Sequence, residues 1–119
     1  MKEGLVLFAH GSKDPQWREP FEKLAVSVGQ KMPAVAVALA YLEHSASLEE
    51  ALGMLVAKGA LSVRIVPIFL GYGGHLRHDL PRLVEQLRPS YPALKIGVEK
   101  PIGEQPEILE AISQLIAKR

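Results

Sequence analysis

The sequence contains no cysteine among its 119 residues. This absence excludes a disulfide framework, a thiolate metal site and a cysteine nucleophile, and it fits a reducing compartment. No apolar run approaches the roughly 20 residues of a membrane-spanning helix, and the first run is too short for a signal peptide. The formal net charge of +1 is too small to favour nucleic acid as the main partner. The sequence therefore predicts a soluble cytoplasmic protein that binds neither nucleic acid nor a membrane.

Motifs of several common enzyme classes are also missing from the sequence. It has no G-x-S-x-G nucleophile elbow, which argues against a hydrolase role for its "HGS" triplet. It has no G-x-x-x-x-G-K-[ST] phosphate loop and no G-x-G-x-x-G after the first apolar run. The "AHGS" turn lacks the arginine before histidine that a phosphohistidine mutase-like site requires. These absences argue against hydrolase, ATPase, dinucleotide-binding and mutase functions.

What is present is one order repeated four times: apolar run, loop, amphipathic helix. The apolar runs cover residues 5–9, 34–42, 61–70 and 94–100. Strands that alternate with helices predict a parallel sheet, and near-continuous apolar runs predict that both faces of that sheet are covered. We predict a single α/β domain over residues 1–119. It is a three-layer fold with a four-stranded parallel sheet in the flavodoxin-like order 2-1-3-4.

Each predicted helix carries apolar residues at i, i+3, i+4 and i+7, which predicts one buried face per helix. The residues expected to be buried are Phe21, Leu24, Ala25 and Val28 in the first helix, Leu48, Ala51, Leu52, Leu55 and Val56 in the second, Leu80, Leu83, Val84 and Leu87 in the third, and Ile108, Leu109, Ile112, Leu115 and Ile116 in the last. Ser47 is expected to cap the second helix and Gly59 to end it.

Polar side chains follow the apolar runs at the points where the strands should end. The chief candidates are His10 after the first run, Glu43 after the second and His75 after the third. The carboxyl ends of parallel strands share one edge of the sheet, where ligands bind in such folds, so we expect these side chains to lie close together. Two imidazoles and a carboxylate suit a borderline divalent ion such as cobalt, nickel, iron or zinc. A site with so few protein ligands leaves positions open for catalysis.

Simpler interpretations stay open for each candidate. His10 can hydrogen-bond within its own turn, and "GYGGH" is also consistent with a tight glycine turn in which His75 has no ligand role. Glu43 can be an ordinary exposed carboxylate. His44 and His78 are surface residues or additional ligands, and the sequence does not decide between these roles. The joint placement of the candidates on one predicted edge carries the metal-site hypothesis.

Three stretches resemble a known family in the same order and over nearly the whole chain: "LFAHGSKDPQWREPF", "YLEHSASLEEAL" and "IVPIFLGYGGHLRHDLP". They are similar to the short, single-domain sirohydrochlorin cobaltochelatases, the class II chelatases. The resemblance implies a chelatase-like α/β fold and ATP-independent insertion of a divalent metal into sirohydrochlorin, in cobalamin or sirohaem biosynthesis. It also implies no cofactor beyond the substrate metal, which would be cobalt(II) or else iron(II) or nickel(II).

The resemblance extends to individual residues. His10 and His75 match the two motif histidines, which implies a catalytic and metal-holding role for both, and Glu43 matches an acidic residue that can join the metal site. His44 is a departure, because many relatives have a more apolar residue there. The substrate-binding residues expected at the same edge are Ser12, Lys13, Arg18, Tyr72, Gly73, Gly74, Leu76 and Arg77.

The length of the chain bears on its assembly. Longer relatives contain two such halves in one chain, so a homodimer is implied, with the macrocycle in or near a cleft between subunits.

The alternative function is a non-catalytic divalent-metal carrier or a tetrapyrrole-binding module of the same fold. A carrier would bind metal without the macrocycle.

Overall fold

The computed structural model describes residues 2–43, 46–70 and 76–118, and the side chains of residues 76 and 77 lie outside the described part. Strands and helices alternate along the chain, as predicted. The elements are β1 (Glu3–Ala9), α1 (Pro15–Lys31), β2 (Ala36–Tyr41), α2 (Leu48–Ala57), β3 (Ser62–Pro67), α3 (Leu76–Leu87), β4 (Lys95–Val98) and α4 (Pro106–Ala117). Two 3₁₀ turns occur at Arg88–Ser90 and Ile102–Glu104, and the second is called the 3₁₀ segment below. No helix among the described residues is long and apolar enough to cross a bilayer.

The four strands form one parallel sheet in the order β2-β1-β3-β4. This confirms the predicted order 2-1-3-4. The register places Leu5 of β1 between Val37 of β2 and Arg64 of β3. Because all four strands run the same way, the loops after β1, β2 and β3 leave from a single edge, which we call the carboxyl edge.

The two faces of the sheet are covered unequally. The main core lies between the sheet and the helices α2 and α3, where Phe8, Leu52, Ile65 and Leu80 are fully buried. The opposite face, covered by α1, has only a small buried cluster formed by Leu5, Leu7 and Val66. Ala25 and Val28 of α1 pack against that cluster and stay partly exposed. Most of the hydrophobic stabilisation therefore comes from the α2–α3 side.

The burial prediction is right for four of the five positions in α2 and for three of the four in α3. Leu83 and the α1 residues Phe21, Ala25 and Val28 are only partly buried, and the prediction is wrong at seven other positions. Leu24 and Val56 are each 38% exposed, and Val56 lies at the end of α2. The other five positions are the apolar residues of α4, none of which is buried. Periodicity identifies an apolar face correctly in α4, but that face has no cover within the described residues.

Local sequence signals begin and end the helices near the carboxyl edge. The Asp14 carboxylate accepts a hydrogen bond from the Gln16 backbone N–H at 2.9 Å and caps α1, with Pro15 in the first helical position. The Ser47 hydroxyl accepts one from the Glu50 N–H at 3.1 Å and caps α2, as predicted. Gly59, with φ +93°, follows the end of α2. The caps start α1 and α2 a few residues after β1 and β2, which keeps both connections short.

Candidate metal site at the carboxyl edge

His10 and Glu43 come together just past the ends of two neighbouring strands. The Leu42 N–H donates to the Ala9 carbonyl at 2.9 Å, and the Glu43 N–H donates to the His10 carbonyl at 3.2 Å. These two bonds continue the pairing of β1 with β2 beyond the strands. They place His10 Nε2 and Glu43 Oε1 3.7 Å apart. The structure therefore brings together two of the three predicted metal-holding residues.

The ring orientation of His10 leaves the correct nitrogen for a metal. Its Nδ1–H donates to the Gly11 carbonyl at 3.2 Å, which leaves the Nε2 lone pair facing Glu43. Nitrogen and oxygen ligands lie about 2.0–2.2 Å from a zinc-like ion, so two ligands on one tetrahedral ion are about 3.4 Å apart. The observed 3.7 Å is close to that spacing. The pair therefore needs little rearrangement to share an ion.

The exposure of the pair suits a site that hands its ion to another ligand. The His10 and Glu43 side chains are 52% and 48% exposed. A structural metal site is normally closed by four protein ligands, whereas a catalytic one keeps open positions. The half-exposed pair therefore leaves space on one side for a large second ligand.

Gly11 makes this arrangement possible. Its φ of +100° is in the left-handed region that favours glycine, and a β-carbon there would overlap the Glu43 carbonyl oxygen. The turn after β1 therefore lies directly against the backbone after β2. Gly11 of the "HGS" triplet is thus a structural requirement of the His10–Glu43 pair, which the sequence alone did not indicate.

Three of the predicted substrate-binding residues lie between β1 and the first turns of α1. The Ser12 hydroxyl accepts a hydrogen bond from the Asp14 N–H at 3.2 Å. Lys13 is exposed and Arg18 is half-buried. Ser12 thus shapes the loop, while Lys13 and Arg18 supply positive charge at the carboxyl edge.

The remaining predicted site residues are not placed by the structure. His75, Tyr72, Gly73 and Gly74 lie outside the described residues, as does His44. Leu76 and Arg77 begin α3, but their side chains also lie outside the described part. His78 is exposed in the first turn of α3.

The third metal ligand consequently stays a prediction. Over residues 2–43, 46–70 and 76–118, no group of three histidine or carboxylate side chains is close enough to hold a metal. Segment 71–75, which contains His75, joins the chain after β3 to the start of α3. Both of these ends belong to the carboxyl edge.

The 3₁₀ segment supports the chain just before residues 71–75. The Gly103 N–H donates to the Phe69 carbonyl at 2.8 Å. A β-carbon on Gly103 would overlap the backbone of Leu70. The 3₁₀ segment therefore fixes the last described residue before the stretch that contains His75. Sequence reasoning missed this contact, since a lone glycine after a proline-containing loop is a weak signal.

Tyr41 is a second feature that sequence reasoning missed. It ends β2 two residues before Glu43, and its buried ring lies 6.3 Å from the Trp17 ring. Its hydroxyl has no hydrogen-bond partner among the described residues. Burial raises the pKa of the Tyr41 hydroxyl above its ordinary value, Glu22 raises it further, and Arg18 opposes the shift. The aromatic residue at the end of the second apolar run was the signal for this position.

The fold and the histidine–carboxylate pair together define a class. This is a parallel α/β protein with a half-exposed histidine–carboxylate pair at the carboxyl edge of the sheet, where ligands bind in such folds. The CbiX family model matches residues 4–119. The chain belongs to the CbiX family.

Individual relatives agree with this assignment. A sirohydrochlorin cobaltochelatase of Saccharolobus solfataricus is 32% identical over 98% of this chain and 91% of its own length. A CbiX protein from Marinobacter aquaeolei VT8 superposes with a TM-score of 0.86 at 33% identity, covering 98% of this chain and 95% of that one. The sirohydrochlorin chelatase SirB from Bacillus subtilis subspecies spizizenii, in complex with cobalt, shares the fold. Its TM-score is 0.86 at 24% identity, covering 99% of this chain and 51% of that one.

Proposed function

We propose that this chain inserts a divalent metal ion, cobalt(II) or iron(II), into sirohydrochlorin without ATP. The observation that carries the proposal is the 3.7 Å separation of His10 Nε2 and Glu43 Oε1 at the carboxyl edge. The Saccharolobus relative, named a sirohydrochlorin cobaltochelatase, supports the reaction and the substrate. The missing phosphate loop supports ATP independence.

The metal is a substrate in this reaction, and the pair holds it before transfer. His10 Nε2 and Glu43 Oε1 occupy two positions on the ion, His75 is the predicted third ligand, and the remaining positions stay open. Holding the ion beside the macrocycle replaces a slow bimolecular encounter with a positioned one. No further cofactor takes part.

The proton balance of the reaction fits the same side chains. The divalent ion replaces two pyrrole protons of the macrocycle, so two protons must leave. As the ion moves from His10 Nε2 to the pyrrole nitrogens, the Nε2 lone pair becomes free and accepts one proton. Glu43 Oε1 is placed to accept the other, because it is released from the ion in the same step.

The charged edge suits a macrocycle that carries several carboxylates. Lys13, Arg18 and Arg77 are the proposed contacts for those carboxylates, and Ser12 orders the loop that carries Lys13. The glycines at 73 and 74 allow close approach of the backbone to a flat ligand. Tyr72 and Leu76 are the proposed packing surface.

The proposed assembly is a homodimer in the cytoplasm, with the macrocycle near the cleft between subunits. The lengths of the relatives support it, because this chain corresponds to 51% of the SirB chain and 95% of the Marinobacter chain. A chain of this size has the length of one unit of the longer enzyme.

A spectrophotometric assay tests the proposed function. Purified protein is mixed with sirohydrochlorin and cobalt(II), or with iron(II) under anaerobic conditions, and the macrocycle absorption is followed against a sample without protein. We expect faster insertion with the wild-type chain and a loss of at least about tenfold in His10→Ala. Glu85→Gln is the control, because Glu85 lies in the last turn of α3, away from the site, and pairs with Arg88 just after that helix, where a surface pair contributes little. Cobalt binding without insertion would identify a carrier instead.

A further inference from the structure

The last helix has a one-sided apolar surface. Ile108, Leu109, Ile112, Leu115 and Ile116 share one side of α4, and we call this set the α4 stripe. Leu109, Leu115 and Ile116 are 55%, 59% and 67% exposed, and Ile112 is 37% exposed. Glu107, Glu110 and Gln114 occupy the other side, where the Gln114 amide donates to the Glu110 carboxylate at 3.1 Å. An apolar stripe of this size on an otherwise ordinary surface marks an interaction site.

The same chain has a region of its sheet that is only partly covered by its own helices. On the α1 side, Arg64 of β3 and Gly97 of β4 are paired neighbours. The Arg64 side chain is 43% exposed and forms ion pairs with Glu99 at 2.7 Å and with Glu3 at 3.9 Å, so its charge is already balanced within the chain. A β-carbon on Gly97 would meet no atom of the described residues within 4 Å. Ile68 and Ile102 on this side are only partly buried. We call the β3–β4 half of the α1 side the open face.

The area of the stripe is appropriate for a dimer. The four most accessible side chains of the stripe expose about 400 Å². In a dimer with two such contacts, each stripe would also cover an equal area on the partner, so the total buried surface would be about 1,600 Å², the size of a standard interface. Every copy has one α4 stripe and one open face. A two-fold symmetric dimer can therefore place each stripe on the open face of the other copy and form the same contact twice. A second copy can therefore cover the α4 stripe with no other component.

We propose that the α4 stripe of each copy docks on the open face of a second copy, beside α1. The proposal rests on the homodimer of the proposed function and names the element that forms it. Gln105 alone separates the 3₁₀ segment from α4, and the Gly103 N–H binds Phe69 at the carboxyl edge. The interface thus begins at the carboxyl edge, the same edge that carries the candidate metal site.

Charge substitutions on the two sides of α4 test the docking. Ile116→Glu places a carboxylate in the stripe, and Gln114→Glu makes the same charge change on the polar side. Neither substitution affects the core, because no residue of α4 is buried. Sedimentation equilibrium should show wild-type and Gln114→Glu dimers and an Ile116→Glu monomer, with the dissociation constant raised at least about 100-fold. An Ile116→Glu dimer of wild-type affinity would overturn the docking and leave the homodimer intact.

Engineered disulfides identify the partner of α4, since the chain has no cysteine of its own. Two single variants, Ile112→Cys and Gly97→Cys, are mixed and oxidised. A mixed disulfide between the two chains is the expected product. A Gln114→Cys chain with Gly97→Cys is the control and should form little of it. Disulfide formed only within a chain that carries both Ile112→Cys and Gly97→Cys would show that α4 closes on its own sheet, which would overturn the proposal.

The insertion assay separates failure of the docking from failure of the proposed function. A wild-type chain that is monomeric at all concentrations and still inserts cobalt into sirohydrochlorin would overturn both the docking and the homodimer while keeping the chelatase. A dimer that depends on the stripe but inserts no metal would support the docking and overturn the chelatase.

Discussion

A β-carbon on Gly11 would overlap the carbonyl oxygen of Glu43, so the turn after β1 and the backbone after β2 are in direct contact. That contact keeps His10 Nε2 and Glu43 Oε1 3.7 Å apart. The geometry of the candidate metal site therefore depends on a residue that has no side chain.

Gly11→Ala should disrupt the site. The methyl group meets the Glu43 carbonyl and alanine is disfavoured at a φ of +100°, so we expect a loss of about 1–3 kcal/mol in the free energy of unfolding, together with most of the insertion activity. Urea denaturation and the insertion assay measure the two effects. Gly29→Ala is the matched control, because a β-carbon on this helical glycine of α1 meets nothing within 4 Å, and alanine there should stabilise by about 0.5–1 kcal/mol. Equal stability and activity in Gly11→Ala and wild type would show that the contact is dispensable.

Gly103→Ala should affect the chain that leads into residues 71–75. A β-carbon at this position overlaps the Leu70 backbone, which no side-chain rotation can relieve. We expect a destabilisation of about 1–3 kcal/mol and slower insertion at a temperature where the variant is fully folded. Gly97→Ala, at a position with open space, should stay within about 0.5 kcal/mol of wild type. Full activity in folded Gly103→Ala would argue that the 3₁₀ segment does not position the site.

Tyr41→Phe should reduce the loss of stability at alkaline pH. Burial raises the pKa of the Tyr41 hydroxyl above its ordinary value of 10.0, so the unfolded chain releases this proton before the folded chain does. Below pH 10.0, titration of Tyr41 therefore does not change the free energy of unfolding. As the pH rises from this value toward the higher pKa of the folded state, the free energy of unfolding falls. Urea denaturation between about pH 9 and pH 11 should show a shallower decline for the variant. Parallel declines would mean that Tyr41 titrates alike in both states.

The same substitution tests the unpartnered hydroxyl at neutral pH. Removing a buried hydroxyl that has no partner leaves no group unsatisfied, so Tyr41→Phe should keep or raise the free energy of unfolding, by up to about 1 kcal/mol. A loss of more than about 1 kcal/mol would show that the hydroxyl has a stabilising partner in solution.

The sheet was the most predictable part of the molecule. The alternation of apolar runs and amphipathic helices fixes a parallel sheet, and the flavodoxin-like order proved correct. Strand ends were less certain, since Pro67 ends β3 where the apolar run continues to Leu70. Burial failed for α4, because periodicity shows that Ile112 and Ile116 share a face but not what covers that face.

The sequence predicted which edge of the sheet carries the candidate site, but it did not predict the geometry of that site. Counting the polar residues after each run placed His10 and Glu43 on the same edge, and they are neighbours there. The contact of Gly11 with Glu43 depends on how two loops fold over each other, which no local pattern encodes. The same is true of Gly103 and Leu70. The role of His75 stays a prediction, because it lies outside the described residues.

A double-mutant cycle on His10 and Glu43 tests the central claim most directly. The cobalt(II) affinity of the wild-type chain is compared with that of His10→Ala, Glu43→Gln and the double variant. If the two side chains share one ion, each single variant loses most of the affinity and the double variant loses little more, giving a coupling of about 1–3 kcal/mol. Additive losses, or wild-type affinity in both single variants, would show that the two residues do not form one metal site.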